Sequence, residues 1–143
     1  MRFHACLFSI YNKVPMMPIF TQRKIKNLLL QNNIEFSTQY EILVDRSNPF
    51  SRTKLLYDFY IPSKNLLIEC NGSYWHCDPR FFQSEQIVKF PGGTYKSSDI
   101  WARDKFKLDF ACDKGYSVHT IWEFDINNNI ENVTKTLLKI IKG

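Results

Sequence analysis

The apolar run Leu66-Leu67-Ile68, ending abruptly in Glu69-Cys70-Asn71-Gly72, leaves this chain few ways to fold. The run is short enough for a buried strand. Before it, Tyr57-Asp58-Phe59-Tyr60-Ile61 reads as a second strand, and Pro62-Ser63-Lys64-Asn65 as the turn between them. Proline presets one dihedral there, while Ser and Asn tolerate turn conformations. Two adjacent strands bring Asp58 and Glu69 together, although they are eleven residues apart in the chain. A carboxylate at the end of an apolar strand is costly unless it is paired or metal-bound.

Around this pair the chain reads as alternating elements. Thr21 suits an N-cap, and Ile25, Leu28 and Leu29 mark one face of a helix reaching about Asn32. Glu35 to Val44 reads as a strand, then Asp45 to Lys54 as a basic loop carrying Arg46, Arg52 and Lys54. Phe81 to Ser98 reads as a long connection centred on Pro91-Gly92-Gly93, and such connections are often functional. A helix capped by Asp99 runs to Lys114, with Gly115 as its stop. Tyr116 to Trp122 forms a strand ending in Glu123-Phe124-Asp125; Asn127-Asn128-Asn129 turns, and Glu131 to Lys142 forms an amphipathic helix. This order predicts an α/β domain, a mixed central β-sheet flanked by helices. Residues 1–20 read as an N-terminal arm and 21–143 as the folded domain.

A hydrophobic share of 44%, with 15% aromatics, is enough for a real core. The net charge of +5 permits a nucleic-acid partner through phosphate neutralisation without requiring one. The four cysteines, Cys6, Cys70, Cys77 and Cys112, contain no CxxC pair. The N-terminus lacks signal-peptide character, and no apolar run approaches the roughly 20 residues of a membrane helix. The expectation is a cytoplasmic protein with reduced thiols and no membrane partner.

Several side chains can carry chemistry. Asp58 and Glu69 can converge on a hard cation such as Mg²⁺, which takes one or two carboxylates plus water and phosphate; each can equally close the sheet by an ion pair. His76 is placed to move a proton, or to bond the backbone. Asp104 and Lys107, three apart, share one face of a helix, either at a site or in solvent. Tyr74, Trp75, Tyr95 and Trp101 suit base stacking, or a core.

Taken together these residues form an ordered set. Asp58-Phe59, Gly72-Ser73-Tyr74-Trp75-His76, Arg103-Asp104, Gly115-Tyr116-Ser117-Val118 and Ile121-Trp122-Glu123 resemble the motifs of the Vsr-type (very-short-patch repair) endonucleases, a branch of the PD-(D/E)XK nuclease superfamily. The intervals are similar too: 18 residues from Asp58 to His76, 28 from His76 to Asp104 and 11 from Asp104 to Gly115. The resemblance covers roughly Thr21 to Asp125. It implies a Mg²⁺-dependent endonuclease acting on double-stranded DNA. Asp58, Glu69 and the main-chain oxygen of Cys70 would hold the metal. Asp58, Glu69, His76 and Asp104 would be the catalytic set, with His76 as general base or water-orienting group. Tyr74 and Trp75 would contact or intercalate bases, with Asn71, Arg103 and Lys107 also on the DNA.

This chain departs from that family at four places. The family's structural zinc ligands fall where this chain has Ser73 and Phe124, with only Cys77 nearby, so no structural zinc is expected. Asn71 stands at a family histidine. Glu69 is a carboxylate that the mismatch-repair members lack, and Glu69-Cys70-Asn71 resembles the superfamily's Glu-x-Lys step with Asn in the Lys place. The family's glutamate on the first helix is replaced by Gln22 and Lys24, of which Gln22 can orient a water or a phosphate. These features resemble the Vsr-like domains of phage-borne homing endonucleases, which implies the cytoplasm of a bacterial or phage-infected cell. T·G mismatch nicking and a catalytically silent DNA-binding module are the alternatives, with a globular protein lacking any nucleic-acid role as a third.

Overall fold

The computed structural model describes residues 19–45 and 53–143. Residues 1–18 of the expected 1–20 arm and most of the basic loop, including Arg46 and Arg52, lie outside these described residues. Among the described residues the order is α1 (Ile19–Gln31), β1 (Ser37–Leu43), β2 (Lys54–Ile61), a 3-10 turn (Pro62–Lys64) and β3 (Leu66–Asn71). Then follow β4 (Ile87–Phe90), β5 (Gly93–Lys96), α2 (Ser97–Asp113), β6 (Ser117–Trp122), α3 (Glu123–Asn128) and α4 (Ile130–Lys142).

The central sheet has the order β1-β2-β3-β6. β1, β2 and β3 pair antiparallel, and β6 lies parallel to β3. The sheet is therefore mixed, as the element order predicted. A parallel pair needs a crossover, and the stretch from β4 to α2 provides it.

β3 is buried on both faces, which explains its unbroken apolar run. Leu66 and Ile68 join a core with Ile25 and Leu29 of α1 and Leu137 and Ile141 of α4. Leu67 faces the other way, into a core with Tyr57 and with Ala111 of α2. The turn before β3 depends on Asn65, whose φ of 45° falls in the left-handed region that Asn tolerates. Its amide donates to Gly115 O at 2.8 Å, tying the turn to the α2–β6 junction. Gly115 itself has φ of 94°, as expected of the residue after a helix C-cap.

The structure departs from the sequence reading in several places. α1 begins at Ile19, so Thr21 is not its cap; it is buried within the helix, with its hydroxyl 3.4 Å from Glu123 Oε2. α2 begins at Ser97, two residues before Asp99. The Phe81 to Ser98 connection contains a β-hairpin, β4–β5, whose turn lies at Pro91-Gly92. Val88 anchors the hairpin in a third core with Cys77, Phe82 and Ile100. Glu123 to Asn128 is helical rather than a strand end and turn.

α4 covers one face of the sheet through a single stripe. Leu137 is fully buried and Ile140 is 37% exposed. Leu137→Ala should cost about 2–5 kcal/mol, and Ile140→Ala less than about 1 kcal/mol, as measured by urea unfolding.

Candidate active site

The acids sit where β2 and β3 separate. The β2–β3 ladder runs from Ile61↔Leu66 to Phe59↔Ile68 and stops there. On the other side of β2, Thr38 pairs with Phe59 and Tyr40 with Tyr57, while the intervening Gln39 takes a φ of 52°. The one-to-one register is nevertheless kept on both sides of this point. Tyr57 and Phe59 belong to different core clusters, although two residues apart on one strand.

At the fork the two acids replace the missing ladder bonds. Asp58 Oδ2 accepts the Cys70 N–H at 2.7 Å, and Glu69 Oε1 accepts the Asp58 N–H at 3.2 Å. Gln22 of α1 donates from Nε2 to Asp58 Oδ1 at 2.7 Å, so it is placed on the carboxylate itself rather than on a water or phosphate. Lys107 of α2 donates to Glu69 Oε2 at 2.5 Å and lies over the Tyr57 ring, 4.7 Å from its centre.

Burial raises the Asp58 pKa, partly offset by the Cys70 N–H and by the nearby charges of Lys107 and His76. Glu69 is pushed up to about 7, first by burial and also by the Asp58 charge, with Lys107 opposing. Two adjacent acids that resist ionisation in this way suit a cation that would share them. Among the described residues, no three His, Cys, Asp or Glu side chains converge on one metal position. The donor set here is the two carboxylates, whose oxygens retain lone pairs beyond the bonds above. That number fits a Mg²⁺-like ion completed by water and phosphate.

His76 and Asp104 meet nearby. His76 Nδ1 lies 2.7 Å from Asp104 Oδ2, and both side chains are about one quarter exposed. A carboxylate at Nδ1 selects the tautomer with the proton there and leaves Nε2 as an acceptor. The His76 turn is anchored from three sides. Its own backbone folds back, with His76 N donating to Gly72 O at 3.0 Å and Asp78 N to Ser73 O at 2.8 Å. Trp101 of α2 donates from Nε1 to Cys77 O at 2.7 Å. Arg80 grips the fully buried Asp78 through Nε and Nη2, and reaches Asp125 of α3 through Nη1 at 2.7 Å. A structural zinc needs four thiolate, imidazole or carboxylate donors. Of the positions the resemblance singles out, only Cys77 has a suitable donor; Ser73 Oγ accepts the Phe124 N–H at 3.2 Å instead.

The remaining residues of interest are placed as follows. The Tyr74 ring packs edge-on against Trp75, Phe82 and Phe90, and its hydroxyl donates to Lys89 O at 2.7 Å. Trp75 lies on Phe90 at 5.0 Å, and its buried Nε1 has no partner among the described residues. Both rings therefore support the β4–β5 hairpin beside His76. Arg103 is half-buried near Cys77. Asn71 is buried at the end of β3. Sequence reading put Lys107 on the DNA, and the structure puts it on Glu69. The signal for this was present: Asp104 and Lys107 share one helical face, so a helix that aims Asp104 inward aims Lys107 inward too. Arg80, Asp78 and Asp125 were missed, and no spacing pattern marks them.

The architecture is that of a nuclease catalytic domain. Among solved structures, one titled "Homing Endonuclease I-Bth0305I Catalytic Domain" superposes with a TM-score of 0.52 at 28% sequence identity, covering 83% of this chain and 90% of that one. No family model and no curated protein sequence matches the chain.

Glu69 gives the metal-free protein a pH signature. Its folded pKa of about 7 exceeds the ordinary value of 4.5, so the folded state holds the proton more tightly than the unfolded chain. The resulting stability is complete below about pH 4.5 and is lost as pH rises through 7. Urea unfolding in EDTA should show that Glu69→Gln shrinks the fall in stability between pH 5 and pH 8 by on the order of 1–3 kcal/mol. An unchanged fall would contradict this account of Glu69.

Proposed function

We propose that the chain is a metal-dependent DNA endonuclease that hydrolyses phosphodiester bonds, of the Vsr-like homing type. The observation that carries this reading is the pairing of His76 with Asp104 beside the two half-buried acids, Asp58 and Glu69. The structural neighbour, a homing endonuclease catalytic domain, supports it.

Asp58 and Glu69, with the Cys70 carbonyl, would hold Mg²⁺. The bound ion would neutralise phosphate charge and make a coordinated water more acidic. The protein's own groups do the rest. The Cys70 N–H and Gln22 orient Asp58, and Lys107 orients Glu69. His76 accepts the water proton at Nε2, while Asp104 stabilises the resulting imidazolium. Arg103 and the charge of +5 assist the approach of the phosphate backbone.

One observation favours the silent DNA-binding alternative. The Gln22 amide donates to Asp58 where the resembling family carries a glutamate, so the site has one charge fewer for a cation. Nicking of supercoiled plasmid with Mg²⁺ separates the two readings. Wild type should nick, Asp58→Ala should fall to background, and His76→Ala should lose about 10²–10⁴-fold. Equal inertness of wild type and Asp58→Ala over a range of divalent metals and DNA forms would leave only binding.

A further inference from the structure

A cavity of about 320 Å³ opens between α2 and the ends of β3 and β6, next to the acids. Its floor is set by the parallel register: Asn71 lies beside Trp122, and Glu69 beside Thr120. Trp101 forms part of the opposite wall, its indole fixed by the bond to Cys77 O. Lys105 and Leu108 stand exposed at the mouth.

Asn71 is the unusual member. It is only 8% exposed, yet its side-chain amide makes no hydrogen bond among the described residues. Its amide offers an acceptor and two donors, which stay open to accessible space rather than being sealed away without a partner. Here they face a space with aromatic walls. A planar heterocycle with a hydrogen-bonding edge satisfies both features, since bases stack on indoles and an Asn amide pairs with a base edge. The volume lies at the small end of the range for ligand pockets, roughly 300–1,000 Å³. That excludes a duplex and suits a single base. Glu69 and Lys107 also line the cavity, joining it to the acid cluster.

We propose that this cavity is a nucleobase subsite, which takes one base extruded from the duplex beside the phosphate that a cation at Asp58 and Glu69 would bind. It rests on the nuclease reading and adds a contact that the reading lacks. Taking a base out of the stack costs a few kcal/mol, least when the base is already unpaired. The subsite therefore favours DNA with a single unpaired base.

The test measures binding, so it stands apart from cleavage. Fluorescence anisotropy in an Asp58→Asn background compares three duplexes: fully paired, with one unpaired base, and with an abasic residue at that unpaired position. The base-bearing duplex should bind about tenfold tighter than the abasic one. Asn71→Leu and Trp122→Leu should each collapse that ratio, with thermal melting reporting whether each variant folds. With no substitution in the cavity, 2-aminopurine at the unpaired position should be quenched by stacking on indole. Equal affinity for abasic and base-bearing duplexes, a ratio kept by the folded variants, or unchanged 2-aminopurine emission would each overturn the subsite. Failure to bind any DNA would instead overturn the nuclease reading, and the subsite with it.

Discussion

The structure turns on two hydrogen bonds that cross where β2 and β3 part. Asp58 takes the N–H of Cys70, and Glu69 takes the N–H of Asp58. Backbone groups that leave a ladder inside a protein must find other partners. Here the partners are the two acids themselves, so the carboxylates are built into the backbone pattern. Their separation is set by strand geometry rather than by flexible side chains, and the burial of β3 on both faces keeps that geometry rigid.

This arrangement has an electrostatic cost. Two acids sit close together with limited water, and among the described residues only Lys107 opposes them with a full charge at direct contact. Gln22 and the backbone N–H groups contribute dipoles. With both acids ionised, the three side chains carry one net negative charge, and burial answers by raising both acid pKa values. An ion pair that only closed a sheet would need one acid and one base. The second acid is held instead by the Cys70 N–H and the Gln22 amide.

Much of this was legible in the sequence, for identifiable reasons. The apolar run of β3 and the turn at Pro62 to Asn65 are local signals, and they located both strands at the turn, although β2 begins three residues earlier and β3 ends three residues later than the sequence suggested. Matched intervals tied Asp58, His76 and Asp104 together before any geometry was known. What stayed hidden depended on long-range contacts. The β4–β5 hairpin has strands of four residues, too short for periodicity to announce, and it is held by packing onto Tyr74 and Trp75. α3 follows directly from β6 and ends in two asparagines with a third as its C-cap, residues that signal turns rather than helix. The Arg80 network joins the turn after His76 to α3, 45 residues further on, and no short window of sequence contains it.

The parallel pairing of β3 with β6 explains why acids and cavity share one end of the sheet. Antiparallel neighbours end at opposite edges, so β2 alone could not place a second wall beside Glu69. A parallel neighbour ends at the same edge, and its crossover helix must pack over the pair. α2 is that helix, and its inward residues Trp101, Asp104 and Lys107 are brought over the ends of β3 and β6 by the connection itself. In open α/β sheets ligands gather at the carboxyl ends of parallel strands for the same reason. The His76–Asp104 pair, the acid cluster and the Asn71 cavity are thus three consequences of one crossover. A change in α2 that rotated Asp104 away from His76 would also withdraw Lys107 from Glu69 and Trp101 from the cavity wall.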